Sequence, residues 1–225
     1  MKKFIVIGLG NFGLNLAKTL IENGCEVLGI DSDRDTVQRA KDIITHAVIG
    51  NATNKSVLHS LPIKDFDGAI VSIGQELTAS ILISLYLKEM GISRIVVRAI
   101  SEDHEKILKM QGISDILFPE RDMAMRFGTI LARKNVIDYL PLTGDYVIMD
   151  VSPPPGFINK SIRQLMIGSR FSCQILGIRY GAEAGGKPAE GEIKIAPSAD
   201  DIILPGTVMI MLGRESDIDR IQKEG

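Results

Sequence analysis

Along roughly the first 120 residues, short β-branched runs alternate with longer stretches in which apolar positions recur every three to four residues. Strands are expected at 4–7, 26–30, 46–49, 69–73, 95–98 and 115–118. Each is a nearly continuous apolar run, the pattern of a strand covered on both faces. Helical spacing fits 11–23, 33–42, 54–60, 75–90 and 103–110, with Gly24, Gly91 and Gly112 punctuating three of the stops. Strict alternation of strand and helix predicts a doubly wound parallel α/β sheet.

After Pro119 the rhythm changes. One helical pattern covers 120–135, and its apolar residues Met123, Met125, Phe127, Ile130 and Leu131 occupy more than one face. A helix apolar on two sides has to bury both, so one side is expected to meet something other than its own sheet. Beyond Pro141 and Gly144-Asp145, short strand patterns at 146–151, 172–180 and 208–212 are separated by turn clusters such as Ser152-Pro153-Pro154-Pro155-Gly156. One short amphipathic helix fits near 161–166, and residues 181–191, rich in Gly, Ala and Glu, read as a hairpin loop. The expected organisation is a first domain over 1–119, a helix and linker over 120–142, and a smaller α+β domain over 143–225.

Hydrophobic residues make up 45% and charged residues 24% of the 225, ordinary globular values. Mean hydropathy is nevertheless slightly positive. The uncharged runs 77–87 and 202–213, and the glycine-interrupted run 4–17, all fall short of the ~20 apolar residues that span a bilayer. Met1-Lys2-Lys3 resembles the start of a signal peptide, but Gly8, Gly10, Asn11 and Gly13 interrupt the next apolar stretch and no small-residue cleavage site appears, so the cytoplasm is the expected location. A net charge of −2 argues against a duplex-binding surface, and nucleic acid is not an expected partner. Cys25 and Cys173 stand apart, without a CxxC or a neighbouring His, and read as small buried hydrophobes.

Gly8-Leu9-Gly10-Asn11-Phe12-Gly13 directly follows the first strand and opens the first helix, which gives the G-x-G-x-x-G spacing its meaning. Gly8 allows the tight turn, Gly10 lets backbone N–H groups approach phosphate, and Gly13 lets the helix pack closely. The helix N-terminus adds partial positive charge. Asp31, at the end of the second strand and eighteen residues past Gly13, can accept from both ribose hydroxyls, with Ser32 beside it. A carboxylate there repels a 2′-phosphate and disfavours NADP. Gly50-Asn51-Ala52-Thr53 follows the third strand on the same sheet edge; Asn51 either reads an adenine edge or belongs to a loop capping the next helix. Gly74 and Gln75, after the fourth strand, would face the same crevice.

The pattern specifies adenosine and phosphates without fixing the nucleotide. A small NAD-dependent oxidoreductase would need a proton-transfer group at the cofactor. No Tyr-x-x-x-Lys pair occurs, His46, His59 and His104 read as structural or surface residues, and the C-terminal part has no histidine. A G-x-x-x-x-G-K-[ST] loop is missing as well. The chain therefore reads as a non-enzyme in which the nucleotide is a signal.

The chain resembles the RCK (KTN) regulators of potassium transport, specifically the gating-ring subunits of Trk/Ktr-type uptake systems. The resemblance rests on the run from Phe4 to Gly13, on Thr45-His46-Ala47-Val48-Ile49-Gly50-Asn51-Ala52-Thr53 and on Phe118-Pro119-Glu120-Arg121-Asp122-Met123. It continues through Ser172-Cys173-Gln174-Ile175-Leu176-Gly177-Ile178 and Pro197-Ser198-Ala199-Asp200-Asp201-Ile202-Ile203. It implies a Rossmann-like first domain binding ATP or ADP, or alternatively NAD(H), a crossover helix at 120–135, and a C-terminal RCK domain. It further implies dimers assembled into an octameric ring beneath an integral-membrane potassium-transporting subunit. A nucleotide-sensing dimer with a non-transport partner is the alternative. Many Ktr-type rings carry an arginine where this chain has Asn11. Glu120 matches a carboxylate that helps hold a divalent cation between subunits, and it would also suit the first turn of a helix. Cyclic di-AMP is a further implied ligand of the C-terminal domain, where Gly168 stands at the position of an arginine and Arg170 lies near.

Overall fold

Six parallel strands form the sheet of the first unit, in the order β3-β2-β1-β4-β5-β6. The computed structural model describes residues 1–74, 76–181 and 193–224. In chain order the elements are β1 (Lys3–Ile7), α1 (Asn11–Glu22), β2 (Glu26–Asp31), α2 (Arg34–Ala40), β3 (His46–Ile49), α3 (Lys55–His59), β4 (Gly68–Val71), α4 (Leu77–Glu89), β5 (Ile95–Arg98), α5 (Glu102–Met110) and β6 (Asp115–Leu117). The chain divides at residue 119 into units Met1–Pro119 and Glu120–Gly225.

The continuous apolar strands have a direct cause. Ile5 and Ile7 point into a core with Val71, Val97, Leu58, Ile83, Leu87 and Leu108. Val6, between them, points the other way into a core with Val27, Ile70, Leu9, Ala17, Val37 and Ile44. Helices cover both faces, so alternation of side chains does not become alternation of polarity. Strand order reverses between β1 and β4, which opens a crevice at the carboxyl ends of the strands. The helix expected at 75–90 forms as Leu77–Glu89, and Gln75 lies outside the described residues. It buries Ala79, Ile83 and Leu87 and leaves Leu85 exposed.

His104 is fully buried near the start of α5. Its Nδ1 accepts from the Ile100 backbone N–H at 3.4 Å, while Nε2 is buried without a hydrogen-bond partner. Burial penalises the imidazolium and holds the pKa below the usual 6.5. The unfolded chain therefore takes up a proton that the folded chain resists. Stability is fully present above pH 6.5 and declines as the pH falls below it. Urea midpoints measured from about pH 7 to 5 should fall less steeply for His104→Gln than for the parent; parallel curves would assign the slope to another group.

The second unit contains α6 (Pro119–Ala132), which starts at the boundary, then β7 (Val136–Pro141), β8 (Tyr146–Val151), α7 (Ile162–Leu165), α8 (Ile167–Phe171), β9 (Gln174–Arg179), β10 (Ile193–Ile195), β11 (Val208–Arg214) and α9 (Glu215–Lys223). Its five strands run in the order β10-β9-β11-β8-β7, all neighbours antiparallel. One sheet face packs Met149, Val151, Met209, Met211 and Ile178 against Phe157, Leu165, Phe171, Ile218 and Ile221.

Helix α8 and strand β10 have no counterpart in the sequence reading, and three further segments differ from it. Residues 136–141, read as linker, form the edge strand β7, and the edge position is what accommodates Pro141. The strand expected at 172–180 is Gln174–Arg179, because Ser172 takes a left-handed conformation at φ 56°. The helix expected over 120–135 ends at Ala132, and Asn135 is left-handed at φ 68°. The loop expected at 181–191 lies, apart from Gly181, outside the described residues.

Helix α6 buries none of its residues. Arg126 makes a forked pair with Asp138 at 2.7 and 2.8 Å, and Arg133 pairs with Glu215 and, at 3.4 Å, with Asp219. Ile130 packs on the second core. Met123, Met125, Phe127 and Leu131 remain 48–83% exposed.

Candidate functional site

The turn from β1 into α1 is built by steric necessity. Gly8 sits at φ +92°, and a Cβ there would come within 3.0 Å of the Ser72 carbonyl. A Cβ on Gly13 would overlap the Gly8 carbonyl oxygen, so helix and turn can close on each other only with glycine at this position. Gly10 differs from both. It precedes α1 as the N-cap at φ −63°, the helix has no side-chain cap, and a Cβ at Gly10 would meet nothing within 4 Å. Nothing in the surrounding fold requires glycine at this position.

Asp31 ties this loop to β2. Its Oδ2 accepts from the Leu9 N–H at 2.7 Å and its Oδ1 from the Asp33 N–H at 2.9 Å. Each carboxylate oxygen has a second lone pair, so the group can hold the loop and still accept from a ribose. Asn51 turns its side-chain oxygen into its own loop, accepting from the Thr53 N–H at 3.0 Å and the Thr53 hydroxyl at 2.7 Å. The cap of α3 is Asn54, whose oxygen accepts from Ser56 N–H, so capping does not account for Asn51.

These loops enclose a cleft of about 550 Å³ at the carboxyl edge of the sheet. Gly8, Gly10, Asp31, Ser32, Asn51, Ala52, Thr53 and Gly74 all line it. Asn11, Phe12 and Gly13 lie behind it in α1: Gly13 against Gly8, Phe12 beneath the Arg98 guanidinium at 5.8 Å, and Asn11 exposed. The sequence reading omitted Ser72, Glu76 and Arg98, which also line the cleft. Arg98 ends β5, and a polar or charged residue closing a buried parallel strand was the signal available.

Glu120 is exposed in the first turn of α6. Among the described residues, no three His, Cys, Asp or Glu gather as a metal site. In the second unit Gly168 lies in α8, and Arg170 pairs with Glu224 at 2.5 Å while lying 4.9 Å over the Phe171 ring.

A glycine loop, a strand-end acid and a crevice at the reversal of strand order define a nucleotide-binding α/β unit, and the chain belongs to the TrkA-N domain family, whose pattern matches residues 4–119. Over 99% of its length it is 37% identical to Ktr system potassium uptake protein C of Bacillus subtilis (strain 168), spanning 96% of that protein. The crystal structure of the GsuK RCK domain superposes with a TM-score of 0.67 at 15% identity, covering 99% of this chain and 47% of that one. The GsuK channel bound to NAD gives 0.66 at 15% identity, covering 98% of this chain and 39% of the other. The chain thus spans less than half the length of these two solved chains, and at such identity the likeness is one of fold.

Proposed function

We propose that this chain is the nucleotide-sensing regulatory subunit of a potassium uptake system. The observation that carries the reading is the cleft: Gly8 and Gly10 at the head of α1 line it together with Asp31, a placement that suits phosphate on the loop and ribose on the acid, and among the described residues its ionisable lining is Asp31, Glu76 and Arg98. These groups suit binding an adenine nucleotide, ATP or ADP in the first instance and NAD(H) as the alternative. Likeness over the full length to a Ktr uptake protein supports the transport role.

Among the described residues no helix is long and apolar enough to cross a membrane. In this reading the pore is a separate integral-membrane partner, which the chain meets from the cytoplasmic side. The exposed apolar strip of α6 supports assembly with copies of itself into a dimer and then a ring. A nucleotide that prefers one arrangement of the paired chains shifts the population toward it, and the pore follows. In such a ring, copies of Glu120 could share a divalent cation. The cation to examine for cyclic di-AMP is Arg170.

Thermal-shift titration with ATP, ADP, NADH and NADPH at equal concentration, with the mass in solution measured alongside, tests the reading. A ligand at 100 times its Kd stabilises by about 2.7 kcal/mol, so the preferred nucleotide gives the largest shift. At least one of ATP, ADP and NADH should raise the Tm more than NADPH, and the mass should be a multiple of the chain. No shift from any of them, or a monomer, would count against it.

A further inference from the structure

The glycine loop carries no cation of its own, since Gly8 to Gly13 contains only neutral residues. Among the described residues lining the cleft, Arg98 is the one cation, against the carboxylates of Asp31 and Glu76. Its place is built. The guanidinium lies 5.8 Å from the Phe12 ring in the first turn of α1. It also passes so close to Gly74 that a Cβ there would come within 2.6 Å of Nη1. Ser72 follows β4 in the same cleft; its residue is 5% exposed, and its Oγ is buried with no hydrogen-bond partner. That hydroxyl is 3.1 Å from where a Cβ on Gly13 would be, at the foot of the α1 N-terminus.

Position along the sheet separates these two groups from the adenosine side. Asp31 and Asn51 belong to β2 and the loop after β3, on one side of β1; Ser72 and Arg98 belong to β4 and β5, on the other. A nucleotide with its ribose at Asp31 and its first phosphate over the glycine loop therefore extends its remaining groups toward Ser72 and Arg98. A buried hydroxyl without a partner is costly unless a ligand supplies one. A guanidinium beside a helix N-terminus favours an anion over a neutral sugar or base.

We propose that Ser72 and Arg98 form a distal anion subsite that holds the terminal phosphate of a nucleoside di- or triphosphate, and that this subsite sets the preference for ATP and ADP over AMP. The proposal rests on the reading of the cleft as a nucleotide site. Calorimetric titration of the full chain with ATP, ADP and AMP, at constant magnesium, tests it. Arg98→Gln should weaken ATP and ADP by roughly 10- to 100-fold and AMP by less than about threefold, because only the longer ligands reach the charge. Arg98→Lys should retain part of the preference, and it carries the test if Arg98→Gln fails to fold. Ser72→Ala should weaken ATP about three- to tenfold without lowering the melting temperature of the unliganded chain. Equal losses for ATP and AMP in Arg98→Gln, or in Arg98→Lys where that variant stands in, would overturn the subsite, as would unchanged ATP binding in Ser72→Ala. If the parent takes up none of the three, the ATP and ADP reading of the cleft fails and the subsite with it, whereas the NAD(H) reading stands or falls on the thermal-shift titration with NADH.

Discussion

Gly13→Ala destabilises the first unit by about 2–4 kcal/mol and abolishes nucleotide binding, whereas Gly10→Ala, three residues earlier, leaves stability within about 1 kcal/mol and weakens binding. The difference lies in what a single methyl group meets. At Gly13 it would overlap the Gly8 carbonyl oxygen, a backbone atom fixed because the Gly8 N–H donates to Ile30 in β2 at 2.8 Å. Relief requires α1 to move off the sheet, which opens the core around Leu9 and Ala17. At Gly10 the methyl group points into open space, so only an incoming phosphate would feel it. Urea denaturation of both variants, with ATP titration of each, separates the two roles. Equal stability for the pair would show that α1 is not held against the turn as described.

Asp31→Ala has the second large effect. Two charge-assisted hydrogen bonds to a ribose are each worth about 1.5–3 kcal/mol, so binding weakens by at least roughly 100-fold. Stability falls as well, because the Leu9 and Asp33 N–H groups lose their acceptor. Asp31→Asn sharpens the interpretation: its amide oxygen can still accept from Leu9, so stability recovers in part, while the charge that repels a 2′-phosphate is gone. The ratio of NADH to NADPH affinity should narrow in Asp31→Asn relative to the parent. A ratio that stays the same would place the ribose elsewhere in the cleft.

How much of the molecule could be read in advance depends on the physics of each element. The parallel sheet was legible because burial on both faces of its central strands writes itself into nearly continuous apolar runs. The turn at Gly8 to Gly13 was legible because only glycine satisfies its contacts. Strand β7 escaped because an edge strand tolerates Asp138 and Pro141, residues that elsewhere mark a loop. Asn51 could not be settled from its loop alone, since the sequence leaves open which of two asparagines caps α3. Ser72 and Arg98 escaped for another reason. Their importance comes from the strand order β1-β4-β5, which brings distant segments to one crevice, and a one-dimensional pattern of polarity does not encode which strand ends become neighbours.

The methionines of α6 carry one more consequence. Met123 and Met125 are 48% and 66% exposed, while Met149, Met209 and Met211 are sealed in the second core. Thioether oxidation turns an apolar, flexible side chain into a polar, chiral sulfoxide. An oxidant meeting an isolated chain reaches the α6 pair far more readily than the core three, and the sulfoxides would roughen the very strip left uncovered by the fold. The exposed apolar strip of α6 is thus also vulnerable to peroxide, and reductase-mediated repair would be the route back to a smooth apolar face.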